Sequence, residues 1–192
     1  PAPRQAAAPP APAPAAASST EEPGRNIALI AKAGAFKLSN GAQVVGGQPS
    51  TYDTTSRPAA GVEVEWRRQG GLAVGGEVFY YKNKLAATGT ALSGEQTVLA
   101  FFLNGKYYFR VADWFYPFAG VGVGAAASSY GGDLTGKASG PAYQGMAGAE
   151  FRFGNLGLYL QYKVLASTTD DGANEKVKIG GKGILAGVSV LF

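Results

Sequence analysis

Ala60-Gly61-Val62-Glu63-Val64-Glu65-Trp66-Arg67 alternates without a break between apolar side chains (Ala60, Val62, Val64, Trp66) and glycine or charged groups (Gly61, Glu63, Glu65, Arg67). A period of two belongs to an extended strand whose successive side chains leave opposite faces. Both faces are committed here: one suits hydrocarbon and the other a polar interior. A soluble barrel that binds apolar ligands needs the reverse, an apolar inside and a polar outside.

The same period recurs along the chain from Asn26 and marks eight segments: 26–38, 58–67, 71–82, 96–110, 115–127, 141–153, 156–167 and 179–192. Each is near the ten or so residues that a tilted strand needs to cross a bilayer. The connections alternate in length, with 39–57, 83–95, 128–140 and 168–178 long and 68–70, 111–114 and 154–155 short. Short turns on one side and long loops on the other describe an up-and-down barrel in the outer membrane, with both termini on the short-turn, periplasmic side and the long loops extracellular. The expected fold is all-β: an eight-stranded antiparallel up-and-down transmembrane β-barrel over 25–192, preceded by a disordered Pro/Ala-rich periplasmic tether over 1–24. Pro and Ala make up all of Pro1 to Ala17 except Arg4 and Gln5, and such a segment buries too little surface to offset its ordering entropy.

Register is testable because directly opposed residues must share a face. A three-residue loop Arg68-Gln69-Gly70 opposes Trp66 with Leu72, Val64 with Val74 and Glu65 with Ala73, so faces match, and Gly70 is available for a left-handed position. Gly154-Asn155 works as a two-residue turn that opposes Phe151 with Leu158 outside and Glu150 with Tyr159 inside.

Composition narrows the chemistry. The 192 residues include no cysteine and no histidine, which removes disulfides, thiolate sites, the commonest zinc ligands and every Ser-His or Cys-His nucleophile. No run approaches the 18 or so apolar residues of a membrane helix. The formal charge is +4, but Lys and Arg are dispersed, so no nucleic-acid footprint is present. The chain begins without Met, a basic start or an apolar stretch, which reads as a mature secreted form. No enzymatic activity, cofactor or metal is expected.

Aromatic residues gather at the short-turn ends: Trp66, Tyr107, Phe109, Trp114, Phe115, Tyr116, Phe118, Phe151, Phe153 and Phe192. They suit an interfacial girdle at the membrane surface. The stretches Leu103-Asn104-Gly105-Lys106-Tyr107-Tyr108-Phe109, Pro117 to Gly124, Ala147 to Phe153 and the ending Leu185 to Phe192 resemble, as an ordered set, the small outer-membrane β-barrel family of the OmpA/OmpX transmembrane-domain type. The resemblance covers about residues 26–192. It implies a Gram-negative outer-membrane location in the cell envelope, contact with outer-membrane lipid, and an assembly signal on Phe192 read by the outer-membrane assembly machinery. The family hosts adhesins, structural proteins and small porin-like channels, so activity does not follow from it. Outer-membrane barrel enzymes of the deacylase, palmitoyltransferase, phospholipase and protease types use a histidine, which this chain lacks.

The inward set is a lumen charge network of Lys32, Glu63, Glu65, Arg67, Glu77, Lys106, Arg110, Glu150, Arg152 and Lys163. Eight strands enclose just enough room for side chains, so a paired, hydrogen-bonded plug is expected. Gly120, Gly122 and Gly124 look superficially like a phosphate loop, but no helix start follows; they read as a bare lumenal stripe that makes room for Lys106, Tyr108, Glu150 and Arg152. Glu63 and Glu65 resemble a glycosidase pair only in type, since a lumen offers no cleft for a sugar. Tyr52, Asp53, Lys82, Lys84, Glu95, Tyr130, Asp133, Asp170, Asp171, Glu175 and Lys176 form a polar crown suited to surface recognition or plain solvation. Asp170, Asp171 and Glu175 lack the spacing of a calcium loop. Two functional classes stand: a structural or interaction barrel with a plugged lumen, a candidate subunit of a larger envelope assembly reached through the tether or the lipid face; or a small channel or transporter for ionic or hydrophobic solutes.

Overall fold

The computed structural model describes residues 26–38, 42–45, 48–52, 56–87, 93–132, 136–170 and 176–192. The tether over 1–24 and the crown residues Asp53, Asp133, Asp171 and Glu175 lie outside the described residues, as do the side chains of Tyr52, Tyr130, Asp170 and Lys176.

Ten strands and no helix form among the described residues: β1 (Ile27–Leu38), β2 (Ala42–Val45), β3 (Gln48–Tyr52), β4 (Arg57–Arg67), β5 (Leu72–Ala87), β6 (Ser93–Tyr108), β7 (Phe115–Gly132), β8 (Gly136–Phe153), β9 (Leu156–Asp170) and β10 (Lys176–Leu191). Eight of them close a ring in the order β5-β4-β1-β10-β9-β8-β7-β6, with β6 returning to β5. Every pairing is antiparallel, so the barrel is up-and-down and leaves no free edge.

Face assignment follows the decisive stretch. Val62 and Val64 are each 51% exposed, whereas Glu63 is 0% and Glu65 1% exposed. The apolar coat is therefore outside and the charge inside, a distribution that only a hydrocarbon surround makes favourable.

Three expectations need correction. The first long connection is not plain loop, because β2 and β3 form a hairpin within 39–57, and β3 continues beside β5 with Tyr52 level with Leu85. The strands also overshoot their predicted ends at Lys82, Gln96, Ala127, Pro141, Ser167 and Ile179, so the described gaps at that end shrink to 88–92, 133–135 and 171–175. Counting the residues needed to cross a bilayer bounds the apolar coat, but the hydrogen-bond ladder runs on beyond it. Asn83 and Gln96 still face inward and buried there, while Lys82, Lys84 and Glu95 face outward. Finally, the turn after β4 is centred one residue later than expected. Arg68 donates its N–H to the Leu72 carbonyl at 2.7 Å, which leaves Gln69-Gly70-Gly71 as the loop, and Trp66 pairs with Val74 rather than Leu72. Two adjacent glycines with positive φ, Gly70 (97°) and Gly71 (92°), make that turn. The Gly154-Asn155 turn has the expected register, with Phe151 opposite Leu158, Glu150 opposite Tyr159, and φ of 64° at Gly154.

Candidate functional site: the charged lumen

Strand parity puts the site together. Inward positions of β1, β4, β5, β6, β8 and β9 carry Lys32, Glu63, Glu65, Arg67, Glu77, Lys106, Glu150 and Lys163, all of them buried. Desolvating that much charge is costly unless each group is paired and its remaining hydrogen-bonding capacity is used.

The pairing is a linear alternation. Lys163 meets Glu77; Glu77 Oε1 also lies 3.0 Å from Lys32 Nζ, which contacts Glu63 Oε2 at 2.7 Å. Lys106 Nζ bridges Glu63 Oε2 at 2.7 Å and Glu65 Oε1 at 2.5 Å. Arg67 then joins Glu65 Oε2 at 2.9 Å to Glu150 Oε2 at 2.8 Å, and Arg152 Nε closes the series on Glu150 at 2.8 Å. Each of the four carboxylates thus sits between two cations. Such sharing compensates burial better than isolated pairs, because every charge between the two terminal cations has opposite charge on more than one side.

Neutral groups complete the coordination. Asn104 Nδ2 donates to Glu63 Oε1 at 2.6 Å and to Glu77 Oε2 at 3.0 Å, and Gln144 Nε2 donates to Glu77 Oε2 at 2.7 Å. Gln161 Oε1 accepts from Lys32 at 2.9 Å, Tyr159 OH accepts from Lys106 at 2.8 Å, and Ser189 Oγ donates to Glu150 at 2.5 Å. Tyr108 OH donates to Glu65 Oε2 at 2.9 Å, while its ring lies 4.6 Å from the Arg67 guanidinium carbon. Above the charges, Lys163 Nζ lies 4.1 Å from the Phe79 ring centre, and Phe79, Phe36 and Tyr81 stack against one another with centroids 4.8 to 5.7 Å apart.

Of the ten residues assigned to this network from sequence, nine join the series and Arg110 does not. It lies past the end of β6, its side chain is 40% exposed, and it pairs with Asp113 three residues on, at 2.8 Å. The ladder has ended there, so strand parity no longer sets its direction. Arg152 joins from the rim, only partly buried. Among the girdle candidates Trp66, Tyr107, Phe109, Trp114, Phe153 and Phe192 are exposed on the outside, and Phe115 and Phe151 pack on each other at 5.2 Å. Tyr116 and Phe118 face inward instead: Tyr116 pairs with Glu150 and its ring centre lies 3.7 Å from the Arg152 guanidinium carbon, and Phe118 is buried against Tyr108 and Tyr159.

The glycine stripe is partly reassigned. A Cβ at Gly120 would meet Lys106 Cγ at 2.7 Å, as expected, but one at Gly122 would strike Asn104 and Gln144. Room beside Glu150 comes from Gly157, and room for Phe118 from Gly148. Gln144, Gln161 and Ser189 carry no charge and so do not stand out among the inward positions in the sequence; the same period of two, applied to amides and hydroxyls, places them. Among the described residues no group of His, Cys, Asp and Glu side chains could hold a metal ion. The hydroxyls of Ser128 and Ser167 donate to the carbonyls of Ala138 and Pro141.

Comparison with known proteins agrees with this architecture. The outer membrane protein beta-barrel domain family matches residues 6–192. Neisserial surface protein A superposes with a TM-score of 0.67 at 17% identity over 86% of this chain and 97% of that one. The attachment invasion locus protein Ail of Yersinia pestis gives 0.54 at 13% identity, covering 88% and 99%. OprG from Pseudomonas aeruginosa gives 0.53 at 13%, covering 88% and 97%. At these identities the likeness is one of fold. No curated protein sequence matches the chain. A closed ring of eight antiparallel strands, apolar outside and ionic within, matched over nearly its whole length by one family, makes this chain a member of the outer membrane protein beta-barrel domain family, a β-barrel of the bacterial outer membrane.

Proposed function

We propose that the protein is a structural or interaction barrel whose lumen is closed by its own side chains, without enzymatic activity. The observation that carries this is the continuous ion series from Lys163 to Arg152, capped by the Phe36, Phe79 and Tyr81 rings. A group that conducts must exchange partners with passing solute, and each buried charge here already has its partners.

In this reading the short turns and both termini are periplasmic and the long connections extracellular. The exposed aromatics at the turn end, Trp66, Tyr107, Phe109, Trp114, Phe153 and Phe192, serve as the interfacial girdle. Phe192, whose N–H donates to the Ile27 carbonyl at 2.8 Å where the first and last strands meet, is the residue offered to the assembly machinery. The tether and the lipid face are the surfaces for other envelope proteins. Purified protein in planar bilayers should show little conductance; a steady, large single-channel current would instead establish the solute-channel function.

A further inference from the structure

Three exposed lysines end the apolar coat on one wall. On β1 the outward residues Ile27, Leu29, Ala31, Ala33 and Ala35 give way to Lys37; on β10 the outward run from Phe192 to Ile184 gives way to Lys182; on β5 the run from Leu72 to Tyr80 gives way to Lys82. In each case ten residues separate the first apolar position from the lysine. At about 3.3 Å per residue and a tilt of about 40° this rises about 25 Å, the height of the apolar band of an outer-membrane barrel. The three ammonium groups therefore lie at headgroup level on the loop end.

Lys37 and Lys182 are moreover direct partners in the β1–β10 ladder. Like charges directly opposed across strands are destabilising, and among the described residues neither has a carboxylate partner. The neighbouring Lys84 is different, since Glu95 stands opposite it. Below the lysines, on the same four adjacent strands β10, β1, β4 and β5, the outer surface sinks into a groove of about 520 Å³. Ala31, Ala33, Ala60 and Ala186 line its floor, with Val188 and Tyr80 at its sides.

From a cationic rim whose Lys37 and Lys182 have no carboxylate partner among the described residues, standing above an apolar groove at mid-height of the same four strands, we propose that this wall docks one phosphate-bearing lipid, its phosphate held by Lys37, Lys182 and Lys82 and an acyl chain reaching down into the groove. The chemistry is complementary at both ends: a multivalent anion relieves the Lys37–Lys182 repulsion, and a chain fills the hollow left by small side chains. Docking does not depend on whether the lumen conducts; only the leaflet that supplies the lipid follows from the orientation proposed above.

The test is native mass spectrometry of the full chain released from detergent and titrated with diphosphoryl lipid A or its dephosphorylated form. The folded state of each variant is checked by heat-modifiable gel migration. The bound adduct should form with the phosphorylated lipid and fall at least fivefold with the dephosphorylated one, in a Lys37→Gln/Lys82→Gln/Lys182→Gln variant, and in Ala33→Phe/Ala186→Phe, which fills the groove. Lys137→Gln, an exposed lysine on β8 of the opposite wall, should leave it unchanged. Equal binding of both lipids, no loss in the triple variant, or an equal loss in Lys137→Gln overturns the site, and loss in the lysine variant without loss in the groove variant overturns the acyl-chain half.

Discussion

Arg67 and Glu150 stand on diametrically opposite walls, β4 and β8, and meet across the lumen, with Arg67 Nη1 donating to Glu150 Oε2 at 2.8 Å and Nη2 to Oε1 at 3.2 Å. The pair acts as a cross-brace. It ties together two strands separated by three others on either side of the ring, at the level where Ser189 donates to Glu150 and Tyr108 donates to Glu65, the other carboxylate on Arg67.

Removing one end of that brace strands the other. Glu150→Ala leaves the buried Arg67 with Glu65 alone and Arg152 with no carboxylate in the series. Loss of one partner from a buried ion pair costs about 3 to 5 kcal/mol. Urea unfolding of the barrel in lipid vesicles should show a loss of that size, and a change below about 0.5 kcal/mol would contradict the brace.

Position along the series should matter more than charge alone. Lys106 bridges two carboxylates and donates to Tyr159, whereas Arg152 ends the series at the partly exposed rim. Lys106→Met should therefore cost about 3 kcal/mol or more and Arg152→Gln about 1 kcal/mol or less, since solvent replaces a rim partner. Equal effects in parallel unfolding titrations would show that the series carries no extra weight at its centre.

Glycine in the wall is required by its neighbours, not by the strand. A methyl group at Gly122 would strike Asn104 and Gln144, while one at Gly105, on the outer face of the adjacent strand, meets nothing within 4 Å. Gly122→Ala should lower stability by about 1 to 3 kcal/mol through overpacking, and Gly105→Ala should change it little. The thermal midpoint of heat-modifiable migration reports both.

The aromatic cap makes a separate prediction. Phe79 touches Phe36, Tyr81 and the Lys163 ammonium, so Phe79→Ala opens the cap and exposes that end of the ion series. Truncating a buried Phe costs about 3 to 5 kcal/mol. In planar bilayers the variant should show brief openings that the parent protein lacks, and an unchanged closed baseline would assign the seal to the charges alone.

Much of this was legible because one period governs everything. The alternation in Ala60 to Arg67 sets the faces, the faces set which charges are enclosed, and nine of ten followed. Its blind spots have the same origin. Parity is unchanged by a slip of two residues, so the pairing of Trp66 with Val74 rather than Leu72 was beyond its reach and depended on the φ values of Gly70 and Gly71. Parity also says nothing once a strand ends, which misplaced Arg110, and an aromatic at a strand end reads the same on either face, which misplaced Tyr116 and Phe118. The strand extensions carry Lys84 and Glu95 outward beyond the apolar coat, where the outer face no longer has the apolar side chains that mark a strand in the sequence.

The ion series has an odd number of members, and a cation stands at each end. Such a string has a surplus of one positive charge, walled off from water over most of its length. A sodium or potassium ion reaching either end of the series would meet repulsion first, whereas chloride would be drawn inward, so a leak that follows this series should be anion-selective.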